Sequence, residues 1–106
     1  FVETVRNQPK QSQAVFVSIM RIHEKGERGI QTGAVYDAYY EVCKNNTLTP
    51  LTQRRVSDLI SELETFGIIN TTVTSKGRYG RTRIINVSLS GDVLNKIKNL
   101  LSKEFA

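Results

Sequence analysis

Residues Thr49 to Arg83 read TPLTQRRVSDLISELETFGIINTTVTSKGRYGRTR, and their spacing decides the architecture. Thr52 suits a helix N-cap, because its hydroxyl can accept from an amide that the first turn leaves without an intrahelical partner. Leu51 and Val56 flank the cap at hydrophobic-staple spacing. Val56, Leu59, Ile60, Leu63 and Phe66 recur every three or four residues and draw one apolar stripe. Gly67 falls where a left-handed residue would close the helix. Opposite the stripe stand Arg54, Ser57, Asp58, Ser61 and Thr65, all polar. Such a face suits solvent or nucleic acid and is a poor one to bury against another protein.

Two strand-like runs follow. Ile68 to Ser75 is rich in Ile, Val and Thr, and Thr82 to Leu89 places Ile85, Val87 and Leu89 alternately on one face. Between them, Lys76-Gly77-Arg78-Tyr79-Gly80-Arg81 has two glycines that permit a tight or twisted hairpin tip. Lys76, Arg78, Arg81 and Arg83 gather four cations there with no acid among them. Isolated basic residues are usually solvated surface. A cluster on one projecting hairpin repels itself and favours a polyanionic partner.

The charge is concentrated in this region. Thr52 to Arg83 holds six basic and three acidic residues, a net of +3 in a chain whose total is +5. All three acids, Asp58, Glu62 and Glu64, lie on the helix, so the hairpin is uniformly positive. A pI near 9.6 suits a nucleic-acid binder without demanding one. An anionic membrane would also attract this charge, but no segment has the apolar length of a spanning helix, and the cations gather on a hairpin instead of an amphipathic helix. The 106 residues make one domain with a modest core. The single cysteine cannot form an internal disulfide. A reducing, cytoplasmic (nucleoid-associated) setting is the default expectation. The chain begins at Phe1 and is read as a piece of a longer protein.

Working outward, Val2 and Val5 have helical spacing and are assigned, with residues 1–8, to the tail of an upstream domain. Pro9 is expected in the first turn of a helix running to about Glu24, striped by Val15, Phe16, Ile19, Ile22 and His23 with Val17 and Met20 to the sides. His23 has no second His to join it, so a buried or end-capping imidazole is expected, not a metal ligand. Ile30-Gln31 is a minimal edge strand. Thr32 is expected to cap a helix to about Asn45, on which Val35, Tyr36, Tyr39, Val42 and Cys43 face one way. The tyrosines read as core with hydroxyls reaching a partner or water, and Cys43 as a small buried hydrophobe. A last helix should start near Ser90 with Val93, Leu94, Ile97, Leu100, Leu101 and Phe105 inward.

The predicted fold is therefore α+β, a winged helix-turn-helix over residues 9–106: helix, short strand, helix, recognition helix, two-stranded wing hairpin, C-terminal helix. The chain carries no P-loop, CxxC, HExxH or GxSxG pattern. Asp58 and Glu62, four apart on an exposed helix face, lack the burial that acid–base work needs. No catalytic, cofactor-binding or metal-binding residue is assigned.

Val35-Tyr36-Asp37-Ala38-Tyr39, Pro50-Leu51-Thr52-Gln53-Arg54-Arg55-Val56-Ser57-Asp58, Glu62-Leu63-Glu64, Phe66-Gly67-Ile68 and Ser75 to Arg83 together resemble one family. It is the C-terminal winged-helix domain of archaeal initiators related to the origin-recognition and Cdc6-type replication factors. Gln8-Pro9-Lys10-Gln11 departs from the Leu-Pro the family tends to show there. The resemblance implies an upstream AAA+ module carrying the ATP and magnesium chemistry. It also implies binding to duplex origin DNA and loading of the replicative helicase; no membrane partner is expected. The isolated domain is expected to be a monomer. The expected DNA-binding set is Thr52, Gln53, Arg54, Arg55, Ser57 and Ser61 on the helix, with Lys76, Arg78, Tyr79, Arg81 and Arg83 on the wing. Two other uses of the same fold are a transcription regulator, which would usually dimerise, and a protein-docking module, which would want an apolar outward stripe.

Overall fold

A computed structural model describes residues 1–27, 29–75 and 81–106, except for the side chains of Ser75 and Arg81. The elements in chain order are α1 (Val2–Arg6), α2 (Lys10–Glu24), β1 (Ile30–Gln31), α3 (Thr32–Asn45), α4 (Gln53–Thr65), β2 (Ile69–Ser75), β3 (Arg81–Val87) and α5 (Gly91–Ser102). The three strands form one antiparallel sheet in the order β1-β3-β2. The β2–β3 hairpin pairs from Ile69↔Val87 out to Ser75↔Arg81. β1 reaches only the inner end, at Ile30↔Ile85 and Gln31↔Ile84.

The core lies between the helices and the inner face of this sheet. Val56, Leu59, Ile60 and Leu63 from α4 are buried, with Val35, Tyr39, Val42 and Cys43 from α3 and Ile97 and Leu101 from α5. Val5 of α1 is also fully buried in the same cluster, and the side chain of Gln13 donates to its carbonyl oxygen at 2.9 Å. α2 passes through the middle. Every residue from Ser12 to Met20 is buried, so the expected stripe with two flanking residues becomes a helix covered on all sides. Its polar members remain satisfied: the Ser18 hydroxyl donates to the Ala14 carbonyl at 2.8 Å, as a buried hydroxyl must to avoid a desolvation penalty.

Four local expectations are corrected. Pro9 is the N-cap of α2, one position before its first turn. Thr32 is the first residue of α3 and Gln31 its N-cap, because Gln31 is still paired in β1 and the strand runs straight into the helix. Of the two placements expected for His23, the buried one fails: His23 is exposed in the last turn of α2, beyond Ile22, the last buried residue of that helix. Phe66 is 43% exposed. The α4 C-terminus closes with Ile68 N–H donating to Leu63 O and Gly67 N–H to Glu64 O, Gly67 having φ +79°. That closure folds the buried Ile68 back over the buried Leu63, and Phe66 is left outside.

Candidate nucleic-acid interface

The polar face of α4 is held in place from below. Its N-cap forms as expected: the Thr52 hydroxyl accepts from the Arg55 amide at 3.2 Å. Leu51, partly buried, precedes the cap and Val56 is fully buried, so the staple positions are both occupied by core groups. Two tyrosines of α3 then clamp the peptide groups entering the helix. The Leu51 amide donates to the Tyr39 hydroxyl at 2.9 Å, and the Tyr36 hydroxyl donates to the Leu51 carbonyl at 3.2 Å. Tyr39 in turn donates to Gln11 Oε1 at 2.5 Å, and Gln11 Nε2 donates to the Thr49 carbonyl at 3.0 Å. Burial pushes the Tyr39 phenol up to about 12, against the opposing pull of the Leu51 amide. It is therefore a protonated donor at neutral pH. Burial likewise raises the thiol of Cys43, the small buried group expected on α3.

The loop before α4 contains a strained residue. Thr47 has φ +56°, a left-handed conformation that a β-branched side chain rarely adopts. It occupies the position that ends α3, with the Leu48 amide donating to the Cys43 carbonyl at 2.9 Å. Thr47 thus does in this turn what glycine usually does.

Gln53, Arg54 and Arg55 are exposed in the first turn of α4, which has no acidic residue. Its unpaired amides and the two guanidiniums favour an anion at that end. Arg55 lies 4.0 Å from Asp58, with both side chains more than half exposed, so this pairing is worth little. Ser57 is half-buried and Ser61 exposed.

The hairpin grips the other flank of the helix. Arg83 on β3 donates from Nη1 to the Ser57 carbonyl at 3.3 Å and to the Ser57 hydroxyl at 3.1 Å, and from Nη2 to the Ser61 hydroxyl at 2.9 Å. Glu64 Oε2 accepts from the Thr71 amide at 2.9 Å and from its hydroxyl at 2.8 Å. Those two bonds, helped by the charge of Arg83, hold the Glu64 carboxyl below the usual range. Nothing in the local sequence signalled either contact. Ser57 and Ser61 are four apart on one helix face, which permits a shared partner, but the choice of Arg83 depends on strand register. Lys76, Arg78 and Tyr79 lie outside the described residues, as does the side chain of Arg81, whose backbone pairs with Ser75 at the outer end of the hairpin.

Among the described residues, no three His, Cys, Asp or Glu side chains cluster as metal ligands would, and no helix is long and apolar enough to cross a membrane.

The family model described as the CDC6 C-terminal winged helix domain matches residues 3–96. The chain belongs to that family. A relative from Pyrococcus abyssi, an ORC1-type DNA replication protein, is 43% identical over 104 residues, which are 98% of this chain and 24% of the relative. This member of the Cdc6 winged-helix family thus spans about a quarter of the length of the relatives it matches. Its fold is similar to that in a solved structure of the Aeropyrum pernix ORC1 protein in complex with DNA. That likeness has a TM-score of 0.84 and 38% identity, covering 97% of this chain and 26% of the other. Cdc6p from Pyrobaculum aerophilum, at 19% identity and a TM-score of 0.76 over 100% of this chain and 27% of that one, shares the fold.

Proposed function

We propose that this winged helix binds double-stranded DNA at replication origins, as the DNA-recognition domain of an initiator that loads the replicative helicase. ATP and magnesium chemistry belongs to an upstream AAA+ module of the whole protein. The observation that carries the reading is the geometry of α4: its apolar stripe is buried while Gln53, Arg54 and Arg55 stand exposed at its capped end. The DNA complex of the 38% identical Aeropyrum pernix protein supports it.

In this reading Thr52 to Ser61 enters the major groove, whose width admits one helix and whose base edges are all distinguishable. Arg54 reads guanine; Gln53, Ser57 and Ser61 lie within the same groove, and Thr52 with Arg55 takes a backbone phosphate at the helix start. The wing follows the adjacent minor groove, with Arg78 and Arg81 entering it and Lys76 and Tyr79 on the backbone; Arg83, expected beside them, is bonded to Ser57 and Ser61 of α4. Arginines there respond to groove width and A·T content more than to base identity.

The test is a titration of the chain against one origin-like and one scrambled duplex at two salt concentrations. Salt-sensitive binding with a preference between duplexes is expected. Arg54→Ala should erode the preference by about 1–3 kcal/mol. Arg78→Ala with Arg81→Ala should weaken both duplexes alike and flatten the salt dependence. Binding without preference would leave only the basic wing as the DNA contact. No binding to either duplex would point to protein docking instead.

A further inference from the structure

Two polar contacts join α4 to the hairpin, one to each strand. In the register of the hairpin, Thr71 faces Ile85 and Val73 faces Arg83, so all four side chains share one side of the ribbon. Ile85 belongs to the core on that side, and the same side carries Thr71 to Glu64 and Arg83 to Ser57 and Ser61. Arg83 is half-buried, and the fork of its guanidinium spans two successive turns of α4. The Ser61 hydroxyl also donates to the Ser57 carbonyl at 3.3 Å, so its proton and one lone pair are committed within the protein. Arg83 therefore directs three hydrogen bonds, from both terminal nitrogens of its guanidinium, to the exposed face of α4.

We propose that Arg83 is a positioning residue: its forked contact with Ser57 and Ser61 fixes the angle between recognition helix and wing, so that the two elements meet DNA as one body. The inference rests on the duplex-binding reading above. A base contact on α4 and a groove contact on the wing are made together at least cost when the spacing between them is set in advance, because any freedom there is lost on binding. Lysine cannot take over this role, since one ammonium lacks the planar fork that reaches two hydroxyls at once. Arg83→Lys thus separates the charge from the geometry.

The experiment compares wild type, Arg83→Lys, Arg83→Gln, the double variant Ser57→Ala/Ser61→Ala, and that double variant combined with Arg83→Lys. Each is titrated against cognate and scrambled duplex across a salt series. Arg83→Lys is expected to lose about five- to tenfold of the preference, within the range of one misaligned base contact, while its salt slope stays that of wild type. The double serine variant should lose preference too, and adding Arg83→Lys to it should cost little more, since the two changes break one contact. Additive losses would overturn the proposal. So would a full preference in Arg83→Lys with an Arg83→Gln that weakens both duplexes equally and lowers the salt slope by about one, the signature of a phosphate contact. A wild type that binds neither duplex would sink the duplex reading, and the contact would then be judged by NMR. Slow rotation of the Arg83 guanidinium, released in the double serine variant, is expected; free rotation in wild type would overturn it.

Discussion

Tyr39→Phe isolates the support beneath the recognition helix, because it removes one oxygen and leaves the ring in the core. That oxygen accepts from the Leu51 amide at 2.9 Å and donates to Gln11 Oε1 at 2.5 Å. Each hydrogen bond contributes about 1 kcal/mol net, and stranding the partly buried Leu51 amide costs about 1 kcal/mol more, so the variant should lose about 2–3 kcal/mol. For a domain of this size, that lowers the melting temperature by about 10–15 °C. Alkaline pH supplies a second, sharper readout. The folded phenol is raised to about 12 from an ordinary 10.0, so its contribution is complete below pH 10 and is lost as pH rises through 12. The stability gap between wild type and Tyr39→Phe should therefore be constant at neutral pH and narrow across that alkaline window. Thermal melts followed by circular dichroism over a pH series measure both effects. A variant that melts within about 3 °C of wild type, less than 1 kcal/mol at this size, would refute the clamp. A gap that stays the same at high pH would refute the buried, bonded phenol.

Thr47→Gly should stabilise the chain by about 0.5–1 kcal/mol, as relief of the left-handed strain outweighs the added freedom of the unfolded chain; chemical denaturation that shows a loss would mean the Thr47 side chain makes a compensating contact. Glu64→Gln should destabilise at neutral pH. Because the Glu64 carboxyl is held below its usual range by Thr71, its contribution is present above the ordinary glutamate range and lost as pH falls through the lowered value. Melting curves of variant and wild type should therefore converge on acidification, and a gap that persists in acid would remove the Glu64–Thr71 bond from the account.

What the sequence revealed was local. The Thr52 cap and the Gly67 closure are decided by residues a few positions apart and both stand in the structure, and the staple positions Leu51 and Val56 are partly and fully buried. The edge strand Ile30–Gln31 and the α5 start at Ser90, whose hydroxyl accepts from Val93, were legible for the same reason. What escaped depends on how elements meet. The stripe on α2 could not show that its sides would also be covered, since that follows from α3, α4, α5 and the sheet closing around it. Tyr36 and Tyr39 could be read as core, but their choice of the Leu51 peptide required α3 and the loop to be docked first. The union of Arg83 with Ser57 and Ser61 joins positions 26 and 22 residues apart and is set by hairpin register. Phe66 followed the helical period and failed because the period stops at the cap.

The enclosure of α2 also bears on how the domain comes apart. Its residues from Gln13 to Met20 are buried, and the bonded amides begin with Gln13 donating to the Pro9 carbonyl at 3.1 Å, so local fraying does not readily bring solvent to them. Their hydrogen exchange should proceed only through complete unfolding, and its slowest rates therefore measure the global free energy of the domain. The amides of α4 near Gln53, at an exposed helix end, open far more readily. One isotope-exchange trace thus separates the scaffold from the surface it presents, and any ligand of that surface should slow the second class well before it touches the first.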